Sequence, residues 1–551
     1  MKKIIPTILS AVTLGLVTGF PGQTPIAKAE EFTPYYGKGP SYIQPDNLSY
    51  LFPEPAAAFK TPAFKRDKIA FTSQEELIGY IQSLSRKNKD MTVKKLGKST
   101  EGRDIPMLFF SKESKSPHKE SRKPLIWIQG QIHGNEPAAG ESTLVLAQWL
   151  ADGKLGDVLD KVNIAIVPRV NPDGSYYFKR YTSNDMDANR DYLKVEYPEV
   201  QKIHQAIDEY EPAVILDVHE YTVNPAPLTK IGANGSISSY DLLISSAKNL
   251  NIPKQLRKAS DELLLPNVFK TLKKEKLSYH DYYTLDTSDA GVLTATEGST
   301  EARIGRNALG LKNTMTYLIE TRGINIARTD FKRRVFAQAT AQAAFIKTTA
   351  ERAAAVKKAV KQAEHEVIQK GKKAHDRDKI VITSENKLVK NQRLAVVDLA
   401  KAKLVNTPID WLDSTDAYPT LVRNRPTAYI LPPEYKNIAE KLQVLGVDVK
   451  KLKKPVKISA EGYKVKDVKV SKELESGHST REVTTDITTK KRDFPKGSYV
   501  FDMAQADANF ISLALEPEGI DSYVTFNFIP AQKGKELPIY RYMHQSPLPA
   551  E

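Results

Sequence analysis

The chain has 551 residues, more than one hydrophobic core ordinarily serves, so two or more structural units are expected. A hydrophobic share of 40% beside 27% charged residues describes a soluble globular protein. The formal net charge of +15 reads first as a well-solvated lysine-rich surface and permits anionic partners, and the absence of cysteine excludes disulfides, thiolate metal sites, a thiol nucleophile and a lipidated cysteine.

The N-terminus reads as a secretory signal peptide over residues 1–29. Lys2 and Lys3 precede an apolar stretch, and Ala27-Lys28-Ala29 has the small-residue spacing of a cleavage site. The alternative, a membrane anchor, is disfavoured because the stretch is short and broken by Pro6, Gly15 and Gly19. No second long apolar run follows. The expectation is therefore a secreted protein without a transmembrane anchor, extracellular or associated with the cell wall. Its basic charge permits electrostatic association with anionic wall polymers. Nucleic acid is not an expected partner: the lysines are spread along the chain, with no zinc-finger spacing and no ribonucleoprotein signature.

Residues 30–70 are rich in proline and tyrosine and cannot form a long helix, so they read as a strap over a later domain or a partly disordered lead-in. Ser73, three residues before Glu76, forms a capping box for a helix reaching residue 85. Strands are expected at 92–96, 105–110 and 124–128, a helix at 136–149, a strand at 162–170, a helix at 197–210 and a strand at 213–218. Helical segments at 238–250 and 260–274, a polar loop after Asp281 and an apolar run at 315–320 follow. A long helix at 330–373, broken near residue 350, leads to a strand-rich accessory domain over 380–551, with strands near 464–470 and 484–489. Strands alternating with helices predict an α/β fold whose ligands bind beyond the carboxyl ends of the strands.

The candidate chemistry falls at such ends. His133-Gly134-Asn135-Glu136 follows the strand at 124–128, and the strand at 213–218 runs into His219. Two histidines and one glutamate are a common catalytic zinc set, with the fourth position left for water. Read alone, His133 and Glu136 fit ordinary loop hydrogen bonds equally well. Asn171-Pro172-Asp173-Gly174 is a turn signature. The pair Asn189-Arg190 can bind a carboxylate, and an arginine near a metal can stabilise an oxyanion. Glu320 ends an apolar run, where a carboxylate can act as base toward a metal-activated water. Read alone, Glu320 fits better as an exposed acid paired with Arg322.

Several patterns lead nowhere. His219-Glu220 and His365-Glu366 begin a metalloprotease helix motif, but Val223 and Gln369 stand where the second histidine must be. Gly305 and Gly310 have phosphate-loop spacing, but Leu311 replaces the required lysine. No serine-hydrolase elbow is present. His204, within an amphipathic helix, reads as a surface or packing residue.

Taken together, the turn Gly97-Lys98-Ser99-Thr100-Glu101-Gly102-Arg103, the His133/Glu136 pair, Asn171-Pro172-Asp173-Gly174, Arg180, Asn189-Arg190, His219 and Glu320 resemble, in this order, the zinc metallocarboxypeptidase family of the carboxypeptidase A type. The resemblance implies an α/β/α sandwich with a mixed, mainly parallel twisted sheet, and a catalytic domain over 71–375. It implies one Zn²⁺ held by His133, Glu136 and His219. It implies that Arg180 polarises the scissile carbonyl, Asn189 and Arg190 bind the terminal carboxylate of a peptide or protein, and Glu320 acts as general base and acid. The family's substrate-clamping tyrosine has no counterpart between Val292 and Arg306, while Tyr279, Tyr282 and Tyr283 lie further upstream. Alternatives are an N-acyl amino acid deacylase of the aspartoacylase type, a peptidase of cell-wall stem peptides, and a non-catalytic peptide-binding protein on the same scaffold.

Overall fold

A computed structural model describes residues 32–113, 115–116, 121–288, 291–373 and 379–551; the expected signal peptide lies outside them. The first half builds strands β1 (Met91–Lys98), β2 (Asp104–Phe110), β3 (Leu125–Gly130), β4 (Asn163–Val167) and β5 (Val214–Thr222). Then come β6 (Ser236–Ser238), β7 (Leu242–Ser246), β8 (Tyr279–Asp281), β9 (Thr284–Thr287), β10 (Leu293–Thr296) and β11 (Met315–Ile324). The helices of this half are α1 (Gln74–Lys87), α2 (Pro137–Ala151), α3 (Pro172–Tyr177), α4 (Pro198–Tyr210), α5 (Lys254–Leu263), α6 (Leu265–Lys274), α7 (Gly305–Leu311), α8 (Phe331–Glu351) and α9 (Ala353–Gly371).

Eight strands form a mixed sheet in the order β1-β2-β4-β3-β5-β11-β7-β8. Its centre, β4-β3-β5-β11, is parallel throughout. β3 is buried at every residue and β5 at all but its last, as central strands covered on both faces must be. Alternation along β5 and β11 sends side chains to opposite faces. On one face Tyr317 packs against Phe345 of α8, and Glu220 takes Arg334 of α8 and the Ala138 amide of α2. On the other, Asp217 lies against Gly305 of α7. The result is the expected α/β/α sandwich.

The C-terminal part is strand-rich, as expected: β12 (Lys379–Asp398), β13 (Lys403–Asn424), β14 (Ala428–Leu431), β15 (Lys450–Lys451), β16 (Val456–Glu475), β17 (His478–Phe494), β18 (Tyr499–Asp502) and β19 (Glu536–Tyr542), with helices α10 (Lys436–Val444) and α11 (Ala508–Leu515). Two long hairpins dominate it. β12 and β13 join β6, β10 and β9 in a five-stranded sheet, so this region is stitched into loops of the first half. β16 and β17 belong to a six-stranded antiparallel sheet, β15-β18-β14-β19-β16-β17. One hydrophobic cluster runs from Leu77 through Trp127, Ile215 and Ile319 to Phe510 and Ile539.

The capping box of Ser73 and Glu76 is present, and the long helix breaks at Arg352. Two expectations fail. Residues 238–250 form no helix: Leu242, Leu243 and Ile244 lie in β7, antiparallel to β11, because a short apolar run carries no period that separates a buried strand from a helix. The polar loop after Asp281 instead contains β9, β10 and α7; β10 pairs with β13, far along the chain, and β9 pairs with β10. The helix expected at 260–274 is α5 and α6, parted at Leu264 ahead of Pro266.

The proline-rich segment is a strap. The Tyr35 amide donates to Tyr176 O (3.0 Å) and the Tyr42 amide to Asn325 O (3.0 Å). Arg322 donates through Nη2 to Gln44 Oε1 (2.7 Å) and lies 3.6 Å from the ring centre of Phe52.

Candidate active site

Sheet register creates the site. On the parallel pair β5 and β11, His219 and Glu320 are direct partners. β3 lies on the other side of β5 and ends at Gly130, opposite Val218, so the turn carrying His133 and Glu136 emerges beside His219. All four residues lie at the carboxyl ends of strands, where an α/β sheet opens its binding crevice.

The motifs without reactive groups brace this turn. The Asn171 side chain caps α3 by accepting from the Gly174 amide (2.8 Å) and donates to the carbonyl of Ile132 (3.1 Å), next to His133. Gly134 rests on the backbone of Gly174 so closely that a Cβ would overlap it. Asp173 accepts from Ser99 Oγ (2.7 Å), the Glu101 amide (2.8 Å) and Arg103 Nη1 (2.7 Å), tying in the turn after β1.

His133, Glu136 and His219 are buried and converge. His133 Nδ1 lies 2.7 Å from Glu136 Oε1, and His219 Nδ1 lies 3.0 Å from Glu136 Oε2 and 3.2 Å from His133 Nδ1. Ligand atoms around a tetrahedral zinc, at bond lengths of about 2.0–2.1 Å, are about 3.3 Å apart. The outer ring nitrogens face acids: His133 Nε2 lies 3.2 Å from Asp187 Oδ1, and His219 Nε2 lies 3.2 Å from Asp217 Oδ2. A carboxylate at the outer nitrogen favours the tautomer that presents Nδ1 to a metal once the ring is neutral. Two facing lone pairs and a carboxylate are a donor set for a cation, so the residues fit Zn²⁺. Burial opposes ionisation of Glu136, yet the two imidazoles hold its pKa down to about 2. For His219, burial works against the charged form, and the Asp217 and Glu136 carboxylates overcome it and raise its pKa well above the usual value.

Glu320 is 8% exposed, and its carboxylate makes no hydrogen bond or ion pair among the described residues. Burial raises its pKa to about 7, with His219 opposing and the Glu136 charge adding to the rise. It does not pair with Arg322, which turns to Asp330 Oδ2 (2.7 Å) and the strap. Arg180 sets Nε and Nη2 on Asp187 Oδ2 (3.1 and 2.8 Å) and leaves Nη1 3.3 Å from His133 Nδ1. Asn189 has its Oδ1 fixed by the Gly305 amide (2.8 Å), which turns its NH₂ group outward, and the Arg190 guanidinium donates to the Asn189 carbonyl (3.1 Å).

These groups line a cleft of about 620 Å³. Of the three tyrosines considered, Tyr282 and Tyr283 line it, Tyr283 also packing against Trp411, while Tyr279 stacks on Phe269. The cleft also takes Glu475 from the tip of the β16–β17 hairpin. Glu475 pairs with Arg303, which also binds Asp521 (2.8 Å), and His478 reaches Glu196 (2.8 Å). The C-terminal region thus supplies part of the cleft wall.

Sequence reasoning missed Asp187, Asp217, Arg306 and Glu475. Asp217 was legible: two residues before His219 on one strand, it shares that face. The others meet the cleft only through the tertiary fold. His204 is fully buried and donates to Tyr192 O (2.9 Å), a packing role. Glu220 points away from His219 to Arg334, which disposes of the false metalloprotease motif.

Two imidazoles and a carboxylate gathered at the end of a parallel sheet, beside an unpaired acid, make a zinc-hydrolase site. The sequence profile of the zinc carboxypeptidase family matches residues 77–343. The chain is 34% identical over 476 residues to carboxypeptidase 2 of Trichophyton rubrum, covering 85% of this chain and 86% of that protein. It is 28% identical over 154 residues to carboxypeptidase E of Caenorhabditis elegans, covering 24% and 32%. Among solved structures it is similar to the carboxypeptidase A of Helicoverpa armigera, with a TM-score of 0.39 and 18% identity over 56% of this chain and 80% of that one. The chain belongs to the zinc carboxypeptidase family and is a metal-dependent peptide hydrolase using one Zn²⁺.

Proposed function

We propose that the chain is an exported carboxypeptidase that hydrolyses the last peptide bond of peptides and proteins, with residues 71–375 as catalytic unit and 380–551 as accessory. The observation that carries the reading is the register of Glu320 against His219, which sets an acid without a partner beside the two-histidine, one-glutamate cluster. His133, Glu136 and His219 would hold Zn²⁺, which supplies Lewis acidity toward water and the scissile carbonyl. Asn189 and Arg190 hold the terminal carboxylate, the guanidinium by charge-assisted bonds and the amide by its free NH₂. Arg180 turns Nη1 toward the carbonyl oxygen and donates to it as negative charge develops. Glu320 takes a proton from the attacking water and passes it to the leaving amine, a role open to a buried carboxylate beside the cluster. Export is supported by the basic and apolar start of the chain. No helix among the described residues is long and apolar enough to cross a membrane.

The test is metal content of the purified protein together with hydrolysis of a benzoyl dipeptide and of an N-acetyl amino acid. Stoichiometric zinc and release of the C-terminal residue from the dipeptide alone are expected. Cleavage of the acetyl amino acid alone would make the protein a deacylase, and zinc without any turnover would make it a binding protein.

A further inference from the structure

We propose that Arg306 makes this enzyme selective for peptides ending in aspartate or glutamate, by binding the side-chain carboxylate of the terminal residue. The assignment rests on the carboxypeptidase reading above and names its substrate class.

Arg306 is the second residue of α7 and follows the Gly305 amide that fixes Asn189. It lines the cleft that also holds Arg190 and Glu320, and it is 1% exposed. Nη2 donates to Ser299 O (2.9 Å), while Nε and Nη1 are buried without a partner. No carboxylate lies within ion-pair distance of it among the described residues, although it feels the fields of Glu297, Glu320 and Asp217. Glu297 is engaged elsewhere, by the Ser414 amide (2.9 Å) and the Thr415 hydroxyl (2.9 Å). A buried guanidinium with two unmet donors and no counter-charge is costly, and a native fold keeps such a group where a ligand completes it.

The missing partner is an anion, and one oxygen of a carboxylate can accept from Nη1, the unmet donor at the end of the guanidinium. The ring of Tyr282 lies over the guanidinium, with Cζ 5.6 Å from its centre. The unmet nitrogens are shut off from solvent, so the incoming carboxylate must turn this ring aside. The substrate brings two carboxylates on one residue. Asn189 and Arg190 take the terminal one, and Arg306, joined to Asn189 through Gly305, takes the other. Basic terminal residues are not the fit: Glu301 and Glu475, the acids on the cleft rim, already bind Arg303.

The experiment uses full-length zinc-loaded enzyme and benzoyl-Gly-Glu, benzoyl-Gly-Gln and benzoyl-Gly-Leu. The wild type should favour glutamate over its neutral isostere by at least about tenfold in kcat/KM, because glutamine leaves the cation unmet. Arg306→Gln should bring the Glu/Gln ratio to about one, and Arg306→Lys should keep part of it. Should either variant fail to fold, free glutamate should inhibit wild-type hydrolysis of benzoyl-Gly-Leu at least about tenfold more strongly than free glutamine. A wild type that cleaves the neutral substrates as well as the acidic one, or a ratio unmoved in Arg306→Gln, overturns the assignment and leaves the carboxypeptidase reading intact. Failure to cleave any of the three removes both.

Discussion

Replacing Glu320 with glutamine keeps the shape of the side chain and removes one negative charge from the metal cluster. If Glu320 moves the proton, kcat should fall by about 10²–10⁴, or about 3–5 kcal/mol in the barrier, while zinc binding persists. The stability of the metal-free protein should change in the opposite direction. Burial raises the Glu320 pKa from 4.5 to about 7, so the folded state holds a proton that the unfolded chain has released. Between these values folding stability is lost as pH rises. Below pH 4.5 the group is neutral in both states and costs nothing; well above 7 it is ionised in both, and the fold bears the full penalty. At 1.36 kcal/mol per unit, the penalty is about 1 kcal/mol at pH 5 and about 3 kcal/mol at pH 8. Glutamine escapes it. Metal-free Glu320→Gln should therefore gain on the wild type by about 2 kcal/mol more at pH 8 than at pH 5, measured as the difference in urea unfolding free energies. A gain independent of pH would refute the view that Glu320 is a desolvated, unpaired acid, and an unchanged kcat would remove it from the reaction.

Asp187 positions both the His133 ring and Arg180, so Asp187→Asn should weaken zinc binding or kcat/KM by about 10–100-fold with the fold intact; competition with a chelator and steady-state kinetics measure the two separately. Arg322→Ala removes the clasp on Gln44 and the cation over Phe52, leaving Asp330 and the strap without it. A loss of about 2–4 kcal/mol and faster proteolysis within residues 42–52 are expected, and cleavage at the wild-type rate would show that the strap is held elsewhere.

The alternation of strands and helices, the metal triad and the accompanying motifs were legible in the sequence, because each depends on local pattern: a β run that ends in histidine, a turn that needs glycine, an asparagine that caps. Even the break in the long helix and the β16–β17 strands could be read this way. The failures share a cause. β7 and β10 become strands only because β11 and β13 offer hydrogen-bonding edges, and no local period reports a partner dozens of residues away. The same holds at the site. Sequence gave Glu320 a plausible partner in Arg322, but strand alternation and the strap draw Arg322 to Asp330 and Gln44 and leave the acid free. Asp187, Arg306 and Glu475 bear on the cleft because the tertiary fold brings them there, one beside a ligand ring, one at the start of a helix, one at the tip of a remote hairpin. Side-chain chemistry is written in the chain itself. Which charges go unanswered is decided when distant segments are brought together and water is excluded between them.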